Sequence, residues 1–253
     1  MKTTAIVLAA GQGKRMGSDV AKQFLLLDEK PVLYYSLKNF EESSVDEIIL
    51  VTGEDMREYC KEHIVEKYHF KKVKKIVAGG KERYHSVACG LFATDTDCDY
   101  VFIHVGARPF ATSSIIERGM EAVQKYKACV IGMPVKDTIK ISDADGFGVS
   151  TPKRSQVWMI QTPQIFEFQL IKDAYEKLLQ NEEQLIKDGI AVTDDAMVAE
   201  LFTDQKVKFV EGSYQNIKLT TPEDLEIAQL FLRQEKVSTK YLYIVLIYGI
   251  NNI

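Results

Sequence analysis

The sequence predicts an α/β fold, a mostly parallel sheet covered by helices on both faces, with one protruding β-arm. Three observations carry this. Short continuous apolar runs recur along the chain, as strands buried on both faces require. Each is followed by a segment with helical spacing, and such alternation implies right-handed crossovers between parallel strands. The rhythm breaks once, near Asp137, where short alternating runs flank DADGFG and read as a hairpin.

Taken in order, TAIVLA at 4–9 is the first buried strand. Residues 31–42 open with a proline and form a helix, with Val32, Leu33, Tyr35, Ser36, Leu37 and Phe40 available to the core. DEIILVTG at 46–53 is a strand, and a charged helix over roughly 54–69 follows. KKIVAGG at 74–80 is a strand ending in a glycine turn, and RYHSVACGLFA at 83–93 is helical. A strand at 99–105, a helix at 112–126 and a strand at 128–135 complete the first half. The hairpin occupies 137–154, as an arm that packs on another subunit or as a surface flap. The α/β rhythm then resumes with helices at 167–180 and 194–202, strands at 206–211 and 215–219, and a helix at 222–235. Asp194 or Thr193 caps one of these helices, and Thr221-Pro222-Glu223 starts the last. The organisation is one domain over 1–235, with the arm inserted at about 137–155. The remainder, 236–253, is an atypical tail whose YLYIVLIYGI run is too short to span a bilayer. A docked strand, a variable extension and an anchor are all open readings of it.

Composition narrows the function. Of 253 residues, 46% are apolar, enough for a sizeable core, and the net charge is −4. An acidic chain has no general affinity for nucleic acid or anionic membrane, so any basic site is local. Cys60, Cys89, Cys98 and Cys129 form no Cys-x-x-Cys pair, and the four histidines show no metal spacing. The cysteines read as reduced thiols of a cytoplasmic protein, two or three of them in the core. Met1 leads straight into a strand, so no signal peptide is expected.

The chemistry concentrates after the first strand, in AIVLAAGQGKRMGSDVAKQF at 5–24. A Walker A loop needs lysine after its second glycine, and Gly11-x-x-x-x-Met16 fails that test. A dinucleotide fingerprint needs a third glycine where Met16 stands. A plain strand-to-helix turn explains the glycines but not the cations. A loop built around a nucleoside triphosphate explains both. Gly11 and Gly13 let backbone N–H groups approach phosphates, while Arg15 and Lys22 supply charge-assisted hydrogen bonds.

LAAGQGKRMG followed by KQF resembles the signature of the sugar-nucleotidyltransferase superfamily, which implies a Rossmann-like three-layer α/β/α core. GGKERYHSV at 79–87, ARPF at 107–110, PVKDTIK at 134–140, WMIQTPQIF at 158–166, TDDA at 193–196 and NIKLTTPEDL at 216–225 narrow it further. In that order they resemble the 2-C-methyl-D-erythritol 4-phosphate cytidylyltransferases of the non-mevalonate isoprenoid pathway, over about residues 3–235. Ribitol-phosphate cytidylyltransferases are the near alternative. They more often carry Ala-Gly-Gly in place of Ala9-Ala10-Gly11 and lack the Trp158-x-Ile160-Gln161 run.

The resemblance implies CTP and a sugar-alcohol phosphate as substrates, with Mg²⁺ bridging the nucleotide phosphates. It implies that Arg15, Lys22 and Lys218 are catalytic, and that Ala9, Ala10, Gly11, Gly13, Gly80, Arg83, Ser86 and Gly106 hold CTP. Position 105 with Arg108, Thr138, Arg154, Thr162 and Thr193 would hold the sugar phosphate. No metal-ligating side chain is assigned. Thr138 and Arg154 flank the arm, which in the family crosses to a second subunit, so a homodimer is implied. One position departs from the pattern: the family has His-Asp-x-Ala-Arg-Pro where this chain has His104-Val105-Gly106-Ala107-Arg108-Pro109. Valine offers no acceptor, so turnover is expected to be impaired while nucleotide still binds. Asp137, Asp194 and Asp195 are the carboxylates available to compensate.

Overall fold

The computed structural model describes residues 1–11 and 21–234. Gly13, Arg15 and the apolar tail therefore lie outside the described residues. The elements run β1 (Thr3–Ala9), β2 (Leu26–Leu27), β3 (Lys30–Pro31), α1 (Val32–Glu41), β4 (Glu47–Thr52), α2 (Arg57–Cys60), β5 (Val73–Ala78), α3 (Arg83–Ala93), β6 (Tyr100–Val105) and α4 (Ser113–Tyr126). They continue with β7 (Ala128–Pro134), β8 (Ile141–Ser142), β9 (Gly148–Ser150), β10 (Trp158–Glu167), α5 (Phe168–Gln180), α6 (Glu182–Lys187), α7 (Asp195–Phe202) and β11 (Lys208–Glu211). A last helix, α8, spans 222–234.

Seven strands form one sheet in the order β11-β7-β10-β6-β1-β4-β5. β10 alone is antiparallel to its neighbours. Strand side chains alternate between faces, and β1 divides its apolar residues accordingly. Ala5, Val7 and Ala9 join the cluster under α1 and α4, whereas Ile6 and Leu8 join the one under α3, α5 and α7. A third cluster, with Leu27, Val32, Phe110 and Leu219, seats α8 through Ala228 and Leu232. The strand order reverses between β1 and β6, the crevice where open α/β sheets place their ligands. Among the described residues no helix is long and apolar enough to cross a membrane.

Three expectations need correction. The central strand β10 was not foreseen as a strand. Its run is interrupted by Gln161, Thr162, Pro163 and Gln164, and a register shift between Ile160 and Gln164 accommodates the proline that a regular ladder would exclude. The expected strand at 215–219 is instead irregular, opening in turns closed by the Asn216 N–H to the Ser213 carbonyl and the Ile217 N–H to the Gln215 carbonyl, and it is tied to the strand ends by the Leu219 N–H to the Ala107 carbonyl (2.9 Å). The stretch expected as one helix over 54–69 changes winding, from a 3₁₀ turn at Glu54–Met56 through α2 to a π-helical segment at Lys61–Glu66. Only Cys60 and Ile64 of that stretch are buried, so packing pins little of it. The helix cap at 194 is as read: the Asp194 carboxylate accepts from the Met197 N–H.

Candidate active site

A cavity of about 550 Å³ opens at the carboxyl ends of β1 and β6. Its wall runs from Ala10 and Gly11, through Gly80–Arg83 and Ser86, to Val105, Ala107 and Arg108, and on to Thr162, Gln164, Thr193, Asp194 and Lys218. Among the described residues its cations are Lys22, Lys81, Arg83, Arg108 and Lys218, against the acids Glu82 and Asp194. A concave site with that excess of positive charge favours an anionic ligand.

The nucleotide-side wall is braced by short local contacts. Gln23 is buried, and its Nε2 donates to the carbonyls of Ala9 (2.6 Å) and Gly11 (3.0 Å), closing the base of the glycine loop. Ala9 itself sits in the strand and faces the core, so it does not line the cavity. The Gly79-Gly80 turn lies against the first turn of α3. A Cβ on Gly80 would meet the His85 Cβ at 2.4 Å, and the Gly80 N–H donates to Ser86 Oγ (3.1 Å). Ser86 thus shapes the turn that borders the cavity.

Arg83 points from α3 toward α7. Its Nη1 donates to Asp195 Oδ1 (2.8 Å) and its Nη2 to Asp195 Oδ2, the bidentate geometry that planar guanidinium favours. Burial alone would pull the guanidinium down, but the Asp195 carboxylate outweighs it and holds Arg83 above its ordinary range. Asp195 is fully buried and also accepts from the Tyr175 hydroxyl (2.6 Å). Gln164 completes the arrangement from β10. Its Oε1 accepts from the Asp195 and Ala196 N–H groups, both at 2.9 Å, and its Nε2 donates to Asp194 Oδ2 (2.9 Å).

The opposite wall hangs on β6 and β10. His104 is fully buried, with Nε2 3.1 Å from the Arg108 carbonyl and Nδ1 3.0 Å from Thr162 Oγ1. A carbonyl only accepts, so Nε2 carries the proton and Nδ1 accepts from the Thr162 hydroxyl. Burial pulls the His104 pKa down to about 3, so the ring is neutral. Thr162 Oγ1 in turn accepts from the Val105 N–H (3.2 Å). With its proton committed to His104, Thr162 presents a lone pair to the cavity and suits a ligand hydroxyl better than a phosphate oxygen.

Arg108 donates to the carbonyls of Asn216 (2.6 Å) and Ile160 (3.4 Å), and its Nε is buried without a partner. Burial pulls it down to about 10, still charged at neutral pH. The hydrogen-bond partners it has are neutral carbonyls, so a ligand anion would complete its environment.

Of the residues expected at the site, Ala10, Gly11, Lys22, Gly80, Arg83, Ser86, Val105, Arg108, Thr162, Thr193 and Lys218 line one cavity. Ala9 and Gly106 do not. Gly106 is packed behind it, where a Cβ would meet Leu33 Cδ1 at 2.9 Å and the Leu8 carbonyl at 3.0 Å. Thr138 and Arg154 are exposed at the root of the arm, outside the cavity of their own chain. Lys218 lies on this irregular segment rather than on a strand. Lys81, Gln23 and Gln164 were not foreseen as site residues. The signal for Gln164 was present, since Gln161, Thr162 and Gln164 are buried polar residues in an otherwise apolar strand. Of the three carboxylates considered for the vacancy at 105, Asp195 is engaged by Arg83 and Asp137 is exposed near the arm. Asp194 lines the cavity, but both of its oxygens already accept hydrogen bonds.

A family model for 2-C-methyl-D-erythritol 4-phosphate cytidylyltransferase matches residues 3–234. A protein of that name from Lachnospira eligens is 52% identical over 231 residues, covering 91% of this chain and 99% of its own length. One of the same name from Lachnoclostridium phytofermentans is 50% identical over 235 residues, covering 93% and 98%. The crystal structure of 4-diphosphocytidyl-2C-methyl-D-erythritol synthase from Anaerococcus prevotii superposes with a TM-score of 0.78 at 37% identity, covering 92% of this chain and 98% of that one.

Proposed function

Because the chain belongs to the 2-C-methyl-D-erythritol 4-phosphate cytidylyltransferase family, we propose that it transfers a cytidylyl group from CTP to 2-C-methyl-D-erythritol 4-phosphate. The products are 4-diphosphocytidyl-2-C-methyl-D-erythritol and pyrophosphate. The observation that carries the reading is one cation-rich cavity joining the Gly80–Ser86 turn to the half-buried Arg108, whose hydrogen-bond acceptors are neutral carbonyls. The first suits a nucleotide, the second a sugar phosphate. Ribitol phosphate as the acceptor is not favoured, since these relatives are named for the methylerythritol substrate.

A phosphate oxygen of the sugar phosphate attacks the α-phosphorus in line. The bond to the β-phosphate oxygen breaks, and pyrophosphate leaves with the electron pair. No side chain forms a covalent intermediate, so the protein positions the reactants and neutralises charge. Lys22 and Arg15 grip the phosphates, and Lys218 approaches the α-phosphate and the incoming oxygen. Gly80, Arg83 and Ser86 border the cytosine and ribose, while Arg108, Thr162 and Thr193 hold the acceptor. The described residues contain no cluster of three metal-ligating side chains, and the acids on the cavity wall are Glu82 and Asp194. Magnesium would arrive with the triphosphate as part of the substrate and help neutralise its phosphate charge.

The arm supports a homodimer with shared sites. It exposes Ile141, Phe147 and Val149, at 49%, 74% and 66%, and it carries Thr138 and Arg154 away from their own cavity. Both residues would then serve the partner's site. A single domain over 1–235 and a cytoplasmic setting complete the reading, the latter supported by four free cysteines. The test is pyrophosphate release from a panel of nucleoside triphosphates and sugar-alcohol phosphates. Release that requires both CTP and methylerythritol phosphate is expected. Release only with ribitol phosphate, or CTP binding without any release, would replace this reading.

A further inference from the structure

Arg83, Tyr175 and Asp195 lie on three different helices, α3, α5 and α7, and meet at one carboxylate. Arg83 lines the cavity, but Tyr175 and Asp195 do not. Tyr175 is fully buried at the apolar interface of these helices, among the largest side chains with no exposure. Burial, reinforced by Asp195, pushes its phenol well above the ordinary range, so it stays a hydrogen-bond donor. A buried carboxylate needs its donors in place. Asp195 has three side-chain donor bonds: one from Tyr175 to Oδ1 at 2.6 Å, one from Arg83 to each oxygen. The phenol therefore fixes the rotation of the carboxylate, and the carboxylate fixes the plane of the guanidinium.

We propose that Tyr175 is a positioning residue for nucleotide binding: it sets Asp195, and Asp195 sets the Arg83 guanidinium against the nucleoside end of the cavity. The proposal rests on the reading of this cavity as a CTP site. Its logic is that of a buried network, in which removing one member releases the others. Gln164 holds the Asp195 backbone independently through the first turn of α7. Removing the phenol should thus loosen the side chain of Asp195 without moving the helix that carries it.

The test is a double-mutant cycle read by calorimetric titration of the full chain with CTP and magnesium. Tyr175→Phe is expected to weaken CTP about tenfold, the scale of one hydrogen bond to a charged group. In an Arg83→Ala background the same substitution should change the affinity less than about twofold, since the group it positions is gone. In steady-state turnover the KM for CTP should rise while the KM for the sugar phosphate holds. Asp195→Asn, which keeps the side-chain volume, should give the same selective loss and serves if the Phe variant does not fold. Unchanged CTP affinity in both single variants would overturn the proposal. So would an equal loss with and without Arg83, which marks general loosening of the helix interface. If the parent chain, folded by circular dichroism, takes up no CTP at all, it is the CTP-site reading that fails, and the proposal falls with it.

Discussion

The two ends of the cavity are built differently. The backbone of the nucleotide end is closed by near neighbours: Gly79-Gly80 packs on Ser86 and His85 five to seven residues away, Gln23 reaches back to Ala9 and Gly11, and the Arg83 side chain alone is clamped from afar, by Asp195. The acceptor end is made from residues far apart. Arg108 is held by Ile160 and Asn216, His104 by Thr162, and Val105 stands where a carboxylate is the family pattern. Thr138 and Arg154 are not there at all within one chain. The difference teaches that the backbone of a binding end can be closed locally, with one long-range clamp on Arg83, while the opposite end is assembled from distant parts and carries one unusual side chain.

That contrast can be broken or sharpened. The largest effect is expected at Lys218, which lines the cavity and is proposed to meet the α-phosphate and the incoming oxygen. Lys218→Ala should lower kcat by about a thousandfold, the upper range for removing one transition-state contact, while CTP affinity measured calorimetrically changes little. Next comes Val105→Asp. Restoring an acceptor should raise turnover by roughly a hundredfold, again without strengthening CTP binding. Equal rates for parent and variant would mean that the aspartate is dispensable here, and the acceptor end would need no repair.

The nucleotide end is tested by Gly80→Ala. The added methyl is forced on the His85 Cβ, so the turn must shift, with a penalty of about 1–3 kcal/mol. The expected result is a CTP affinity about tenfold weaker, with kcat less affected than by Lys218→Ala. A kcat loss equal to that of Lys218→Ala would dissolve the distinction between the ends.

The last test reads stability against pH. His104 sits neutral and buried with its pKa lowered from 6.5 to about 3. The unfolded chain therefore binds a proton that the folded chain refuses. The stability is present above about pH 6.5 and is lost as pH falls toward 3, by at most about 1.4 kcal/mol per pH unit. Chemical denaturation across that window should have this slope, and a His104→Gln variant should have a shallower one.

The same contrast explains what the sequence revealed. β1, β4, β6 and β7 were legible because each is a continuous apolar run buried on both faces. α3 was read to the residue, since Gly79-Gly80 marks where it begins. β10 was missed because its polar residues face the site and its proline requires a bulge. Those features belong to chemistry, not to strand formation. Tyr175 was hidden for a different reason. Its partner lies 20 residues away on another helix, and no local pattern records such a meeting. The motifs located the cavity; the buried bonds that orient it needed the fold.

The central claim is that the crevice between β1 and β6 is an anion clasp for a cytidine nucleotide. Isothermal titration of the folded protein with CTP and magnesium tests it most directly. The account predicts saturable heat at one site per chain, weaker or absent with ATP under the same conditions. A chain that is demonstrably folded and gives no heat with CTP, or that takes ATP equally well, would contradict it.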